Sequence, residues 1–167
     1  MITAAYCLTM ARYNTWMNGK LFDLCAGLPD ELRKRDLHAF FRSIHGTLDH
    51  ILACDAMFLS HFTKGTPRHM CEGAFPEDFA ELRRRRGEMD EEILAWSATV
   101  SQPWLDTPSR YTHDGDGQPR IVTNGFWAVH MFNHQTHHRG QVTTLLTQLG
   151  HDIGWTDLHG SVARSDV

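Results

Sequence analysis

No stretch of this chain approaches the roughly eighteen apolar residues in a row that a membrane-spanning helix needs, so no span is expected. The N-terminus has no basic start leading into a long apolar run, which argues against a secretory leader. Cysteine is sparse, with Cys7, Cys25, Cys54 and Cys71 only. None of them forms a C-x-x-C pair, and their spacing matches no zinc-finger pattern. The expectation is a reduced, cytoplasmic protein with free thiols. A surplus of positive charge is also missing: the formal net charge is −4, which weighs against a nucleic-acid surface. The one strong basic run, Arg83–Arg86, stands between Glu81 and Glu88. Consecutive residues point around all sides of a helix, so the run reads as a solvated helix face, with phosphate or partner binding as the minor alternative. Internal repeats and low-complexity segments are absent.

What is present suits one packed domain over residues 1–167. The chain is 41% apolar and 22% charged, enough of the first for a core and too little of the second for disorder. Four long helices are expected. The first runs from about Ile2 to Ala26, with Tyr6, Met10, Tyr13, Met17, Leu21 and Leu24 at helical spacing; Gly27 and Pro29 end it. The second runs from near Phe40 to near Thr63, its stripe supplied by Ile44, Leu48, Ile51, Leu52, Met57, Phe58, Leu59 and Phe62. Lys64–Pro76 reads as a loop from its glycines and prolines. The third helix spans roughly Glu77 to Val100. Residues 109–122, "SRYTHDGDGQPRIV", carry strand formers around a Gly/Asp turn, a hairpin signal. The fourth helix follows from about Asn124 to Leu149, stopped by Gly150, and the last seventeen residues read as a loop or tail. The fold class is therefore all-α, a four-helix bundle with a small β-hairpin before the last helix. Connections this long leave sequential helices free to be non-neighbours in space.

Histidines crowd the fourth helix: His130, His134, His137 and His138 lie in "WAVHMFNHQTHHRGQ". His134 and His138 are one turn apart on one face, where two imidazoles can share a metal ion. His137 sits about 60° off His134 and about 100° off His138, a poorer partner. A metal needs a third protein ligand, and His50, in the middle of the apolar second helix, offers one. His45, about 140° around that helix from His50, faces elsewhere. At this point two readings stand: a three-histidine metal site, or a polar layer of hydrogen-bonded neutral histidines. Cys54, one turn after His50, is a small buried residue or a further ligand or redox thiol. Asp55 could orient a ligand or lie on the helix surface; Gln141 and His130 are orienting candidates. Arg139 could bind an anion or form an ion pair. Cys7 and Cys25 share a helix face about 27 Å apart and cannot pair. Trp16, Phe126, Trp127 and Trp155 read as core or interface aromatics rather than a substrate box.

These segments carry a resemblance. "NHQTHHRGQVTTLLTQLG" (Asn133–Gly150) resembles the signature helix of the DinB/YfiT-like metalloenzyme family. "GTLDHILACDAMFL" (Gly46–Leu59) is similar to that family's second-helix motif and "ARYNTWMNGKLFD" (Ala11–Asp23) to its first. The hairpin and the ending "LGHDIGWTDL" (Leu149–Leu158) fit as well, so the likeness covers nearly the whole chain. It implies a bundle that is not simply up-down-up-down, and a divalent metal on three histidines, here His50, His134 and His138. Zinc or nickel is the first expectation for that metal, with iron or manganese as further candidates. The resemblance also implies a homodimer and a stress-response setting.

Some members are S-transferases or isomerases acting with a low-molecular-weight thiol, and that is the activity the resemblance puts first. Others are iron-binding domains of sulfoxide synthases with H-x-x-x-H-x-E; Gly140 stands here where that Glu would be, which counts against this role. A metal-hydroxide hydrolase lacks its base, because Gln135 stands where H-E-x-x-H has Glu. A non-catalytic metal-binding protein is the alternative from another class. The partners expected are a small-molecule thiol or electrophile, with no nucleic acid and no membrane.

Overall fold

The computed structural model describes residues 2–65, 77–113 and 115–161. Each long helix starts where a short polar side chain takes the first free N–H groups. In α1 (Ala4–Ala26) Thr3 accepts from the Tyr6 amide. In α3 (Ile44–Lys64) Ser43 accepts from Gly46 at 3.0 Å. Asp78 caps α4 (Phe79–Thr99) and Thr123 caps α6 (Asn124–Gln148). The second long helix therefore begins at Ile44 rather than Phe40. Gly65, in the left-handed region at φ 64°, closes α3. Two short helices, α2 (Asp30–Lys34) and α5 (Gln102–Asp106), were not expected; five residues are too few to show a helical period. The hairpin pairs β1 (Pro108–Thr112) with β2 (Pro119–Thr123) antiparallel, in register Pro108↔Thr123. A 3₁₀ turn, Leu158–Ser161, interrupts the tail. Cys71, most of the Lys64–Pro76 loop and the end of the tail lie outside the described residues. No helix among the described residues is long and apolar enough to cross a membrane.

Helix α1 packs chiefly on α4, and α3 on α6; α3 also meets α4, and α1 meets α6. The core falls into two apolar clusters, and their membership gives the helix directions. One holds Cys7, Ala11, Phe58, Ile93, Trp96, Trp127 and Phe132. The other holds Leu21, Cys25, Ile44, Leu48, Phe79, Leu82, Val142 and Leu146. Helices α1 and α6 run from the first cluster to the second, and α3 and α4 run the opposite way. The bundle is thus not up-down-up-down: α3 and α4, consecutive in the chain, are parallel.

Between the two clusters lies a buried polar layer to which all four long helices contribute. Asp55, with no exposed surface, pairs with Arg86 Nη1 at 2.6 Å and accepts from Gln135 Nε2 at 2.8 Å. Asp90 Oδ1 accepts from Asn14 and Asn18, each at 2.9 Å, and Arg86 Nη2 stands 2.9 Å away as an ion pair. Arg139 donates to Asn14 and lies over the Tyr13 ring. Two readings of the sequence change here. The run Arg83–Arg86 is not wholly a solvated face: Arg83, Arg84 and Arg85 pair with Asp23, Glu81 and Glu88, but Arg86 is only 2% exposed. The buried face of α1 is also turned from the expected stripe. Tyr6, Met10 and Leu24 are half-buried, whereas Asn14 and Asn18 are buried because they serve Asp90. Of the aromatics, Trp127 is core, Trp16 is half-buried, and Phe126 and Trp155 are exposed. Cys7 and Cys25 are fully buried; burial pushes their thiols up to about 11 and about 12, so both stay protonated packing residues.

Two outcomes follow. Replacing Arg86 by Leu leaves Asp55 and Asp90 buried without their cation and is expected to cost about 3–5 kcal/mol in denaturant unfolding. Arg83→Leu, three residues away but on the exposed face, is expected to cost under about 1 kcal/mol. Burial, only partly offset by Arg86, raises the Asp90 carboxyl from 3.8 to about 6. A raised folded-state pKa favours the fold below the unfolded value and loses that contribution as pH rises through about 6. Wild type should therefore gain stability relative to Asp90→Asn on going from pH 7 to pH 5, measured as the difference between the two proteins at each pH.

Candidate metal centre

At the level of the polar layer, a neighbouring stripe of α6 also turns towards α3. Residues 134, 135, 138 and 139 form two adjacent stripes one residue apart on α6. Gln135 and Arg139 enter the polar layer, and His134 and His138 face His50. One ring nitrogen from each of the three histidines lies within 4.8 Å of the other two. His50 Nε2 and His134 Nε2 are 3.1 Å apart. The ring centroids of His138 lie 4.6 Å from His50 and 4.3 Å from His134.

Each ring has its own support. His138 Nδ1 lies 2.8 Å from Gln141 Oε1, an atom that can only accept, so Nδ1 carries the proton and Nε2 keeps its lone pair. The other end of the same amide meets His137 Nε2 at 3.3 Å, consistent with a donating N–H there. His50 lies face to face with Phe41 at 3.8 Å between centroids, and Cys54 Sγ sits 3.7 Å from its Nε2 and 3.8 Å from its Nδ1. The edge of Phe58 meets His134 at 6.2 Å. Burial first, then the neighbouring rings, holds His50 down to about 4 and His134 down to about 3; burial also lowers His138. The three imidazoles are therefore neutral at neutral pH, with lone pairs available.

This donor set fits a divalent ion. Bonds of 2.0–2.1 Å at tetrahedral angles put two nitrogens about 3.3 Å apart, close to the His50–His134 separation. Neutral imidazole suits zinc, nickel, copper and iron, and the Gln141–His138 contact is the usual outer support of a ligating histidine.

The structure brings together His50, His134 and His138, with Gln141 and Cys54 against them. It does not bring in His130, an exposed residue whose ring lies 6.4 Å from His134 and packs on Phe58 and Trp127. Asp55 is neither on the helix surface nor bonded to these rings; its partners are Arg86 and Gln135. His45 is buried towards Phe79, and Arg139 is tied to Asn14. Sequence reasoning missed Phe41, because it lies in a loop where no periodicity marks a buried face.

An all-helical bundle with three imidazoles converging between two antiparallel helices defines a protein whose interior can hold a metal ion. The chain belongs to the DinB family, whose model matches residues 1–163. It is similar to Protein DinB of Bacillus subtilis (strain 168), with 23% identity over 159 residues covering 91% of each chain.

The hydrogen-bond assignment has a direct check. In metal-free protein at neutral pH, long-range proton–nitrogen spectra should show His138 as the Nδ1–H tautomer. Gln141→Leu, which removes the acceptor, should abolish that preference while leaving the His50 signals in place.

Proposed function

We propose that His50, His134 and His138 bind one divalent metal ion, zinc or nickel in the first instance, and that the site serves S-transfer or isomerisation with a low-molecular-weight thiol. The observation that carries this reading is the convergence of three ring nitrogens within 4.8 Å of one another. A divalent ion held there by three neutral ligands would supply Lewis acidity, stabilising a thiolate at neutral pH.

The chain's own residues supply the rest. His50, His134 and His138 bring no negative charge to weaken that acidity. Gln141 holds His138 in the tautomer that points Nε2 inward. Phe41 and Phe58 place apolar rings beside the ligands, which limits water around a thiol sulfur. Hydrolysis is poorly supported: Gln135 is fully buried and donates to Asp55, so it is turned away from any water that would need a base. A second reading, a metal-binding protein without turnover, draws on one observation. Phe41 covers His50 and meets the edge of His138, which is 8% exposed.

Metal analysis of protein prepared without a histidine tag or a nickel column tests the site. One divalent ion per chain is expected in wild type, and none in His50→Ala or His138→Ala. Full metal content in His50→Ala would remove the three-histidine model. A panel of small thiols with electrophiles then separates the two readings: metal-dependent thiol consumption is expected, and its absence across the panel favours the non-catalytic one.

A further inference from the structure

The loop between α2 and α3 is shaped to deliver one ring to the histidines. His38 and Arg42 are both in the left-handed region, at φ 56° and 66°, a conformation non-glycine residues seldom adopt. Between them the backbone doubles back: the Leu37 amide donates to the Arg42 carbonyl at 2.7 Å, and the Arg42 amide to the Ala39 carbonyl at 2.8 Å. The hook then passes so close to the first turn of α3 that a Cβ on Gly46 would lie 2.5 Å from the Phe41 carbonyl oxygen. Gly46 is thus required by a close approach and not by a bend in its own helix.

The hook seats Phe41 flat on His50, with centroids 3.8 Å apart and planes 21° apart, and edge-on to His138 at 5.4 Å and 67°. The neighbouring Phe40 is left 86% exposed, with its edge on Phe41. A folding chain gains nothing obvious from two left-handed residues that expose one phenylalanine in order to seat the next. Holding an imidazole is a sufficient reason. His138 has an amide oxygen to fix its plane, whereas His50 has a ring face.

We propose that Phe41 is a positioning residue for the metal centre: by stacking it fixes the plane of His50, so that Nε2 points at the nitrogens of His134 and His138, and it closes the His50–His138 side of the centre. An exogenous ligand would then approach past His134, where Phe58 and His130 lie. The inference rests on the three-histidine reading.

The test is cobalt(II) affinity, measured by competition with a chromogenic chelator, together with the visible cobalt spectrum. Wild type must bind cobalt and His50→Ala must not; if either fails, the three-histidine reading has failed and not this one. Phe41→Leu, similar in bulk but unable to stack, is expected to bind at least about tenfold more weakly, the scale of losing an outer support, and to show an altered cobalt band. Phe41→Tyr should restore both, and Phe40→Leu should change neither. Gly46→Ala should weaken binding as Phe41→Leu does, although alanine is the better helix former. Wild-type affinity in Phe41→Leu or in Gly46→Ala overturns the proposal, as does a Phe41→Tyr protein that binds as weakly as Phe41→Leu. Because Gly46 and Phe41 can be varied separately, misfolding of one variant leaves the other to decide.

Discussion

The buried pair between Asp55 and Arg86 is the constraint on which the rest of the bundle depends. A carboxylate and a guanidinium taken out of water cost several kcal/mol each and repay it only if nearly every remaining donor and acceptor is met. Here the response extends through the layer. Gln135 takes the second oxygen of Asp55, and Asp90 stands against the far side of Arg86. Asn14 and Asn18 then serve Asp90, and Arg139 serves Asn14. Two acids and two bases balance in charge. Because they come from all four long helices, the axial register of each is set: a slip of one turn, about 5.4 Å, would strand a charge.

That register is what makes the histidine cluster. His134 and His138 each precede a member of the layer, Gln135 and Arg139, by one residue. The rotation of α6 that satisfies Asp55 and Asn14 is therefore also the rotation that turns both rings towards α3. On α3, Asp55 lies five residues after His50, so the same anchoring sets the height of His50 against α6. Ligand sets need placement to within about half an ångström. An apolar interface alone would specify this less tightly, because leucine against leucine tolerates small displacements that a buried ion pair does not.

The parts of this architecture that were legible in the sequence are those with a period. The four long helices, the hairpin around "HDGDGQP" and the i, i+4 pair His134–His138 all announce themselves by spacing. His50 stood out because it is polar inside an apolar stripe. The polar layer used the same spacing, in Asn14/Asn18, Arg86/Asp90 and Gln135/Arg139, yet went unread, because polar residues at helical intervals look like a solvated face until their partners on other helices are known. Arg86 shows the difficulty most plainly: nothing in "RRRR" distinguishes the one arginine that turns inward. Phe41 was illegible for another reason. Its position depends on two left-handed residues and on a close approach to Gly46, none of which has a periodic signature. A glycine inside a helical run, as Gly46 is, reads from the sequence only as a weak point in the helix.

The charge balance of the layer also bears on what the centre would do with an ion. Asp55 and Asp90 are the buried carboxylates among the described residues; both pair with Arg86, and Arg139 brings a second positive charge to the layer through Asn14. Burial lowers the Arg139 guanidinium only to about 10, so it keeps its charge at neutral pH. The three histidines are neutral. A divalent cation in their midst would therefore find no spare buried carboxylate, and the balancing negative charge would have to come from the Cys54 thiol, 3.7 Å from His50 Nε2, or from an exogenous ligand. Beside the apolar rings of Phe41 and Phe58, a soft anion that is weakly hydrated is favoured over one that must keep its water. The buried arginines that hold the helices in register thus also claim the buried acids, and leave the three-histidine cluster without a buried carboxylate of its own.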